Sequence, residues 1–169
     1  MGMDVRIVRL TDGWLDRKAQ LHAQTWHETY AGLLAAPAVA MVTPEFARRC
    51  TIRHDYATCL LVTVGDRAVG YAEFLVPARP PVTDPTCAEV ASLYVLRSHQ
   101  CLGIGRRLLR AAMEATGRPD RIVLWMFAGN DRALGFYRHM GFHPTGRRQH
   151  EDIGDSIELA NFTAQSADY

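Results

Sequence analysis

The chain contains 169 residues, of which 48% are hydrophobic and 22% are charged, and its formal net charge is +1. A chain of this length buries roughly two-thirds of its unfolded surface, so one hydrophobic core can hold it together without metal or disulfides. This composition excludes the disordered, fibrous and membrane classes, and the near-neutral charge gives no indication of a nucleic-acid partner. We therefore expect one domain that spans residues 1–169.

Membrane insertion, export and metal binding each leave a sequence pattern that this chain lacks. No apolar run approaches the length of a bilayer span, and residues 1–10 alternate charged and apolar residues instead of forming the core of a signal peptide. The four cysteines form no C-x-x-C pair and the seven histidines form no H-E-x-x-H motif, so we expect no metal site. These patterns predict a cytoplasmic protein with no membrane partner, whose thiols are reduced and mostly buried.

The first third of the chain predicts one strand followed by two helices. Residues 5–10 form the strand, and apolar positions over residues 12–30 recur with the spacing of a single helix face. The tripeptide Thr43-Pro44-Glu45 is typical of a helix start, with an N-cap, a proline at the first helical position and an acid in the first turn. This second helix is expected to end near His54.

The rest of the chain predicts six further strands and two further helices. Strand-like runs occupy residues 59–64, 68–76, 88–96, 121–127, 142–149 and 156–162, and helical patterns occupy residues 103–116 and 131–140, the latter capped by Asp131. Gly65-Asp66 supplies a turn for an antiparallel hairpin, whereas strand, helix and strand in succession favour a parallel crossover. The predicted fold class is α/β or α+β with a mixed sheet.

A glycine-containing turn joins the strand over residues 88–96 to the helix that follows it. Gly103 and Gly105 stand where backbone N–H groups lack partners and the helix dipole adds partial positive charge. A glycine lets an anion approach the backbone closely, and Arg106, Arg107 and Arg110 can add charged donors. The turn is therefore suited to a phosphate, although this spacing alone is more typical of a turn that holds no ligand.

Two familiar phosphate motifs do not fit this turn. A P-loop requires Lys and then Ser or Thr after its last glycine, but Arg106-Arg107 follows Gly105. A dinucleotide-binding turn requires a third glycine where Leu108 stands, and it follows the first strand of its fold instead of a late one.

Two longer strings resemble the motifs of the GNAT superfamily of N-acetyltransferases. The acetyl-CoA signature of that family is similar to Leu93-Tyr94-Val95-x4-Gln100-x2-Gly103-x-Gly105-Arg106-x-Leu108-Leu109, and its later motif is similar to Asn130-x2-Ala133-x2-Phe136-Tyr137-x3-Gly141-Phe142. Residues 26–34 also resemble the first helix and following turn of small bacterial members. Cys101 departs from the pattern, because a glycine is common at that position.

The resemblance implies a single GNAT-like domain. Its central sheet would be mostly antiparallel and splayed, with six to seven strands flanked by about four helices, and the pantetheine arm of acetyl-CoA would insert between the diverging strands. The implied cofactor-binding residues are Leu93, Tyr94, Val95, Gln100, Cys101, Leu102, Gly103, Ile104, Gly105, Arg106, Asn130 and Tyr137. The implied reaction is direct transfer of an acetyl group to a primary amine of a small molecule or peptide. The sequence is also compatible with a homodimer.

Acetyl transfer to an amine requires a neutral amine, stabilisation of an oxyanion and a proton for the departing thiolate. The resemblance implies a backbone N–H near Val95 for the oxyanion and the phenol of Tyr137 for the proton. Glu89 precedes Gln100 by a spacing similar to that of the catalytic glutamate in histone-type members, so it is the predicted base, acting directly or through water. Asn130 would hold the cofactor arm, cap the next helix, or do both.

Each of these roles has a structural alternative. Tyr137 can be an aromatic residue of the core beside Leu134 and Met140, and Glu89 can be a solvent-facing or substrate-orienting carboxylate. The next candidates for the base are Glu28, Tyr30 and Asp152.

The acceptor side is less defined. Trp26, Glu28 and Tyr30 are predicted to bind substrate, although aromatic residues spaced along one helix face are also typical of a core. The acceptor walls are expected from residues 26–41, 77–85 and 143–155, and polyamine, antibiotic, amino acid and protein N-terminus all stay open.

Two other functions fit part of the sequence. One is a ping-pong transfer through Cys101 or Cys87, since a helix N-terminus and nearby arginines lower the pKa of a thiol. The other is a non-catalytic acyl-CoA-binding or regulatory module, because a fold and a ligand site do not guarantee turnover.

Overall fold

The structure is a computed structural model that describes residues 4–162. The seven strands of this part of the chain are β1 (Val5–Arg9), β2 (Cys59–Val64), β3 (Arg67–Leu75), β4 (Ala88–Val95), β5 (Ile122–Phe127), β6 (His143–Glu151) and β7 (Gly154–Ala160). Its five helices are α1 (Leu15–Tyr30), α2 (Ala36–Ala40), α3 (Pro44–Arg53), α4 (Ile104–Ala115) and α5 (Asp131–His139).

The strands form one sheet in the order β1-β2-β3-β4-β5-β7-β6. Neighbouring strands are antiparallel except β4 and β5, which are parallel and are connected through α4. The mixed, mostly antiparallel sheet and the crossover are therefore confirmed. β6 also runs parallel to β5, but β7 lies between them, because the chain returns to pair with β5 after the last hairpin.

Helix α1 covers one face of the sheet near β3 and β4, and α4 covers the other face. The apolar positions predicted for one face of α1 are all buried: Leu15, Ala19, Ala23, Trp26 and Tyr30. A short 3-10 turn, Asp12–Trp14, precedes the helix, so α1 begins later than predicted. Apolar packing on both faces of the sheet fixes the backbone of its central strands.

Three helix starts differ in how well the sequence predicted them. The side chain of Thr43 accepts a hydrogen bond from the Phe46 N–H at 3.2 Å, which confirms it as the N-cap of α3. At α5 the cap is Asn130, which accepts from the Ala133 N–H at 3.1 Å, so the prediction that Asn130 caps this helix is confirmed and the prediction of Asp131 was wrong by one residue. The short helix α2 was not predicted, because five residues are too few to show an amphipathic period.

No helix within residues 4–162 is both long and apolar enough to span a bilayer. Of the four free thiols, those of Cys59 and Cys87 are buried, that of Cys50 is half-buried and that of Cys101 is exposed.

Candidate active site

Strands β4 and β5 separate soon after they meet. They pair only at Ala88 with Ile122 and at Glu89 with Val123, while each keeps its other neighbour to its far end. The facing edges beyond that point therefore have no strand partner, although buried backbone groups need hydrogen-bond partners. A cleft of about 500 Å³ opens between these two edges.

A β-bulge in β4 lies at the start of this separation. Ser92 pairs with Glu73 and Val90 pairs with Phe74, so Ala91 is an extra residue on β4. A bulge bends its strand and increases the local twist, and so helps to turn β4 away from β5.

The end of β4 directs backbone groups into the cleft. The N–H of Leu96 donates to the Val69 carbonyl at 2.9 Å, so Leu96 points toward β3. Since successive residues of a strand direct their N–H and C=O groups to opposite sides, Val95 and Leu93 point away from β3 and toward the cleft. The side-chain amide of Gln100 donates to the Val95 carbonyl at 2.9 Å and ties the following turn to the strand end.

The turn after β4 is built for backbone donors. Gly103 is the N-cap of α4 with φ +77°, and Cys101 also has a positive φ, at 60°. The first helical hydrogen bond runs from the Arg107 N–H to the Gly103 carbonyl at 3.1 Å. Within the described residues, the N–H groups of positions 101–106 have no protein acceptor. Together with the helix dipole, these donors form a site for an anion.

Helix α5 forms the opposite wall of the cleft. Asn130 lines the cleft while it caps this helix, so the same side chain fixes the start of α5. Tyr137 lies farther along α5, is 9% exposed and packs against Phe136 and Phe142. Burial raises the pKa of Tyr137 above its ordinary value, so the phenol is protonated at neutral pH.

The α1 side of the cleft is aromatic. The hydroxyls of Tyr30 and Tyr94 lie 2.9 Å apart, and Phe127 packs edge-on against the Tyr30 ring. Trp125 lies two residues before Phe127 on β5 and therefore faces the same side. We call Tyr30, Tyr94 and Trp125, which all line the cleft, the aromatic wall. Burial raises the pKa of both tyrosines, so they are neutral.

The pattern of the acetyltransferase (GNAT) family matches residues 20–142, from within α1 to the end of the α5 motif. The chain belongs to this family. The members it resembles are N-acetyltransferases, and this relationship supports an acetyltransferase enzyme over the non-catalytic alternative.

Two curated relatives come from Mycobacterium tuberculosis. The chain is 26% identical to the probable N-acetyltransferase Rv2775 over 137 residues, which are 76% of this chain and 74% of that protein. It is 38% identical to the N-alpha-acetyltransferase RimI over 85 residues, and this match spans only 50% of the chain and 51% of RimI.

Solved structures share the fold over nearly the whole chain. PH1933 from Pyrococcus horikoshii OT3 superposes with a TM-score of 0.74 at 20% identity, covering 96% of this chain and all of that one (100%). The PaiA N-acetyltransferase from Thermoplasma acidophilum, solved in complex with coenzyme A, gives 0.72 at 19% identity, with 95% and 100% covered. These likenesses confirm the predicted GNAT-like fold.

The cleft of this GNAT chain contains most of the predicted cofactor residues. Those that line it are Leu93, Tyr94, Val95, Gln100, Cys101, Gly103, Gly105, Arg106, Asn130 and Tyr137. Leu102, which is 53% exposed, and the buried Ile104 do not line the cleft, and their backbone N–H groups are among the donors of positions 101–106 that have no protein acceptor in the described part of the chain. Arg132, which the sequence did not single out, lines the cleft as well.

Two of the three predicted substrate residues do not line the cleft and contact other parts of the protein. Trp26 is 9% exposed and packs beneath Tyr30, with the ring centroids 4.4 Å apart. One carboxylate oxygen of Glu28 accepts the Arg97 N–H at 2.7 Å and the other accepts from Gln24 at 2.8 Å. Glu28 therefore fastens α1 to the segment after β4, and Tyr30 is the member of the three that lines the cleft.

Glu89 is fully buried at the point where β4 and β5 last pair, so it is not solvent-facing. The Arg79 guanidinium lies 2.9 Å from its Oε1, and the Arg79 backbone N–H donates to its Oε2 at 3.2 Å. Burial raises the pKa of Glu89, and the nearby carboxylate of Glu158 adds to this, which together outweigh the lowering effect of Arg79. Its neighbour Val90 lines the cleft, whereas Glu89 does not.

A buried ion pair beside the cleft was missed from the sequence. Lys18 is fully buried, and its Nζ donates to Glu73 Oε1 and to Thr51 Oγ1, both at 2.7 Å. Burial alone raises the pKa of Glu73, but the charge and hydrogen bond of Lys18 and a hydrogen bond from Ser92 bring it below its usual value. The sign in the sequence was that Lys18 is the only lysine of the chain.

Proposed function

We propose that the protein is an acetyl-CoA-dependent N-acetyltransferase that transfers the acetyl group directly to a primary amine within a ternary complex. The observation that carries this proposal is the separation of β4 from β5 beyond Glu89 and Val123. That separation leaves unpaired backbone groups along a cleft that begins at the anion site and ends at the aromatic wall.

The cleft fits acetyl-CoA. A pantetheine arm contains amides that pair with a free strand edge, and Leu93 and Val95 present such an edge. The pyrophosphate needs the backbone donors of positions 101–106 and the charges of Arg106 and Arg132, which line the same end of the cleft. The thioester supplies an activated acetyl group for transfer.

Three groups of the chain would perform the chemistry. The Val95 N–H stabilises the oxyanion that forms when an amine adds to the thioester. Tyr137 donates a proton to the departing thiolate, because burial keeps its phenol protonated. Glu89 accepts the proton of the amine through a water molecule, since its side chain lies behind the cleft and its raised pKa makes it a stronger base than an ordinary carboxylate.

Initial rates separate this proposal from its rivals. We expect acceptor-dependent release of free thiol, with intersecting double-reciprocal lines when acetyl-CoA and amine are varied. Cys101→Ala should keep its turnover, because direct transfer needs no enzyme thiol. Parallel lines together with a hundredfold loss in Cys101→Ala would instead favour a ping-pong route, and coenzyme A binding without any acceptor-dependent thiol would contradict the enzymatic proposal.

A further inference from the structure

The acceptor half of the cleft is formed by the α1 face of β4 and β5. Its lining consists of the aromatic wall together with Thr29 and Ser92. The rings extend the aromatic packing of Tyr71 and Phe127, so the wall is held from behind by other side chains. A molecule that enters this half meets ring faces and hydroxyl groups.

No Asp or Glu lines the cleft within residues 4–162. The basic side chains that line it are Arg106 at the anion site and Arg132 and His139 on α5. An acceptor with a second ammonium group would therefore find positive charge and no carboxylate on these walls.

The carboxylates around the acceptor half differ in what holds them. Glu73 is paired with Lys18 and Glu89 with Arg79, so each of these two already has a cation beside it. Glu28 accepts hydrogen bonds from neutral groups and does not line the cleft.

A fourth carboxylate, Glu158, lies opposite Trp125 in the register between β5 and β7, but it is buried and does not line the cleft. Its Oε1 accepts from Thr145 at 2.8 Å, and the Arg147 guanidinium lies 3.8 Å from its Oε2. An ammonium group in the cleft therefore meets none of these four carboxylates on its walls.

We infer that the acceptor is a monoamine attached to an apolar, preferably aromatic, body, and that polyamines are poor acceptors. This inference rests on the proposed function. An aromatic body would stack against the ring of Trp125, where offset and edge-to-face contacts are favourable. The single ammonium group of such an acceptor meets ring faces and the Tyr30–Tyr94 hydroxyl pair before it loses its proton.

Three amines test the inference with the full chain and acetyl-CoA. They are 2-phenylethylamine, hexylamine and 1,4-diaminobutane, which share a primary amine and differ in ring and second charge. We expect kcat/KM for 2-phenylethylamine to exceed that for 1,4-diaminobutane at least tenfold, with hexylamine between them.

Two variants should each lower the preference for the aromatic monoamine over the diamine, one by weakening the first and the other by favouring the second. Trp125→Leu removes a half-buried ring of the wall, so KM for 2-phenylethylamine should rise about tenfold while KM for acetyl-CoA and for hexylamine stays within twofold. Thr29→Glu adds a carboxylate to the acceptor half, so kcat/KM for 1,4-diaminobutane should rise at least tenfold. Trp14→Leu, at a half-buried tryptophan that does not line the cleft, is the matched control.

Equal or better turnover of 1,4-diaminobutane would overturn the inference and leave the proposed function standing. Turnover of none of the three amines by protein that binds acetyl-CoA would also overturn the inference. An equal loss for 2-phenylethylamine and hexylamine in Trp125→Leu would show that the ring has only a structural role. Failure to bind acetyl-CoA at all would contradict the proposed function itself.

Discussion

Gly70 of β3 faces Val95 of β4 in their last register pair, and a Cβ at position 70 would lie 2.9 Å from the backbone oxygen of Tyr94. The same Cβ would lie 3.2 Å from the Val95 Cγ2. Because backbone atoms cannot move aside locally, a side chain at position 70 displaces the end of β4, which is the segment that directs its N–H groups into the cleft.

We therefore predict that Gly70→Ala raises KM for acetyl-CoA about tenfold and lowers the free energy of unfolding by about 1–3 kcal/mol, as overpacking does elsewhere. Steady-state kinetics and urea unfolding measure the two effects. Gly135→Ala is the control for stability, because nothing lies within 4 Å of its Cβ. An unchanged KM in folded Gly70→Ala would show that the position of the β4 end does not control cofactor binding.

Loss of one member of the buried Lys18–Glu73 pair should lower the stability of the protein strongly, and replacement of the second member should restore most of it. Lys18→Met leaves a buried carboxylate without its partner, so we expect a loss of about 3–5 kcal/mol in the free energy of unfolding at pH 7. Lys18→Met combined with Glu73→Leu should recover most of this loss, since replacing both charges removes the uncompensated one. Urea unfolding of the single and double variants provides the comparison, and a double variant as unstable as Lys18→Met would contradict the prediction.

The pH dependence of that variant follows from the sign of the pKa shift. In the native chain the pKa of Glu73 lies below its unfolded value, so its contribution is present above the unfolded pKa and is lost as pH falls through the folded pKa. Without Lys18, burial raises the pKa above the unfolded value. Lys18→Met should therefore gain stability as pH falls through the raised pKa, and a loss over that range would contradict this assignment.

His22 should give the free energy of unfolding a second dependence on pH. Burial, with a smaller contribution from Lys18, lowers the pKa of His22 from 6.5 to about 4. The unfolded state then binds more protons, so stability should fall by at most about 1.4 kcal/mol per pH unit as pH drops from about 6.5 toward 4. Urea unfolding over this range should give a shallower slope for His22→Gln, whereas the exposed control His143→Gln should keep the native slope.

The Glu89–Arg79 pair leads to a prediction of how kcat/KM depends on pH. If Glu89 is the base, the acidic limb of kcat/KM lies above the ordinary carboxyl pKa, because burial raises the pKa of Glu89. Arg79→Met removes a group that lowers this pKa, so the limb should shift to higher pH, and Glu89→Gln should abolish it. A limb that persists in folded Glu89→Gln would assign the base to another group.

The sequence predicted the parts of this protein that depend on neighbours along the chain. The capping of α3 by Thr43, the hairpin at Gly65-Asp66 and the turn between β4 and α4 are local patterns, and the structure has all three. The two GNAT motifs also predicted the two walls of the cleft. The first motif covers the end of β4 and the start of α4, and the second covers α5.

The sequence did not predict contacts between distant segments. Lys18 and Glu73 are 55 residues apart, and Glu28 and Arg97 are 69 apart. A charged residue in a strand or helix is expected to face solvent unless its partner is known. For this reason, the pairing of Glu89 with Arg79 and the contacts of Glu28 emerged only from the fold.

Tyr137 connects the geometry of the cleft with catalysis. Tyr137→Phe keeps the ring that packs against Phe142 and removes only the hydroxyl. The variant should therefore fold normally, and its Kd for coenzyme A should change less than twofold. Loss of a general acid lowers rates by about 10²–10⁴-fold, and we expect kcat to fall within that range. Single-turnover rates and coenzyme A titration separate the two quantities, and an unchanged kcat across pH would remove Tyr137 from the mechanism.

The most direct test of the proposed function is to follow acetyl groups and thiols together. The purified chain is incubated with acetyl-CoA that carries a deuterated acetyl group and with 2-phenylethylamine, and product mass and free thiol are measured over time. We predict one deuterated N-acetyl amine for each free thiol, with no thiol release above background when the amine is omitted. Tight coenzyme A binding with thiol release that does not depend on any amine in a broad panel would contradict this account.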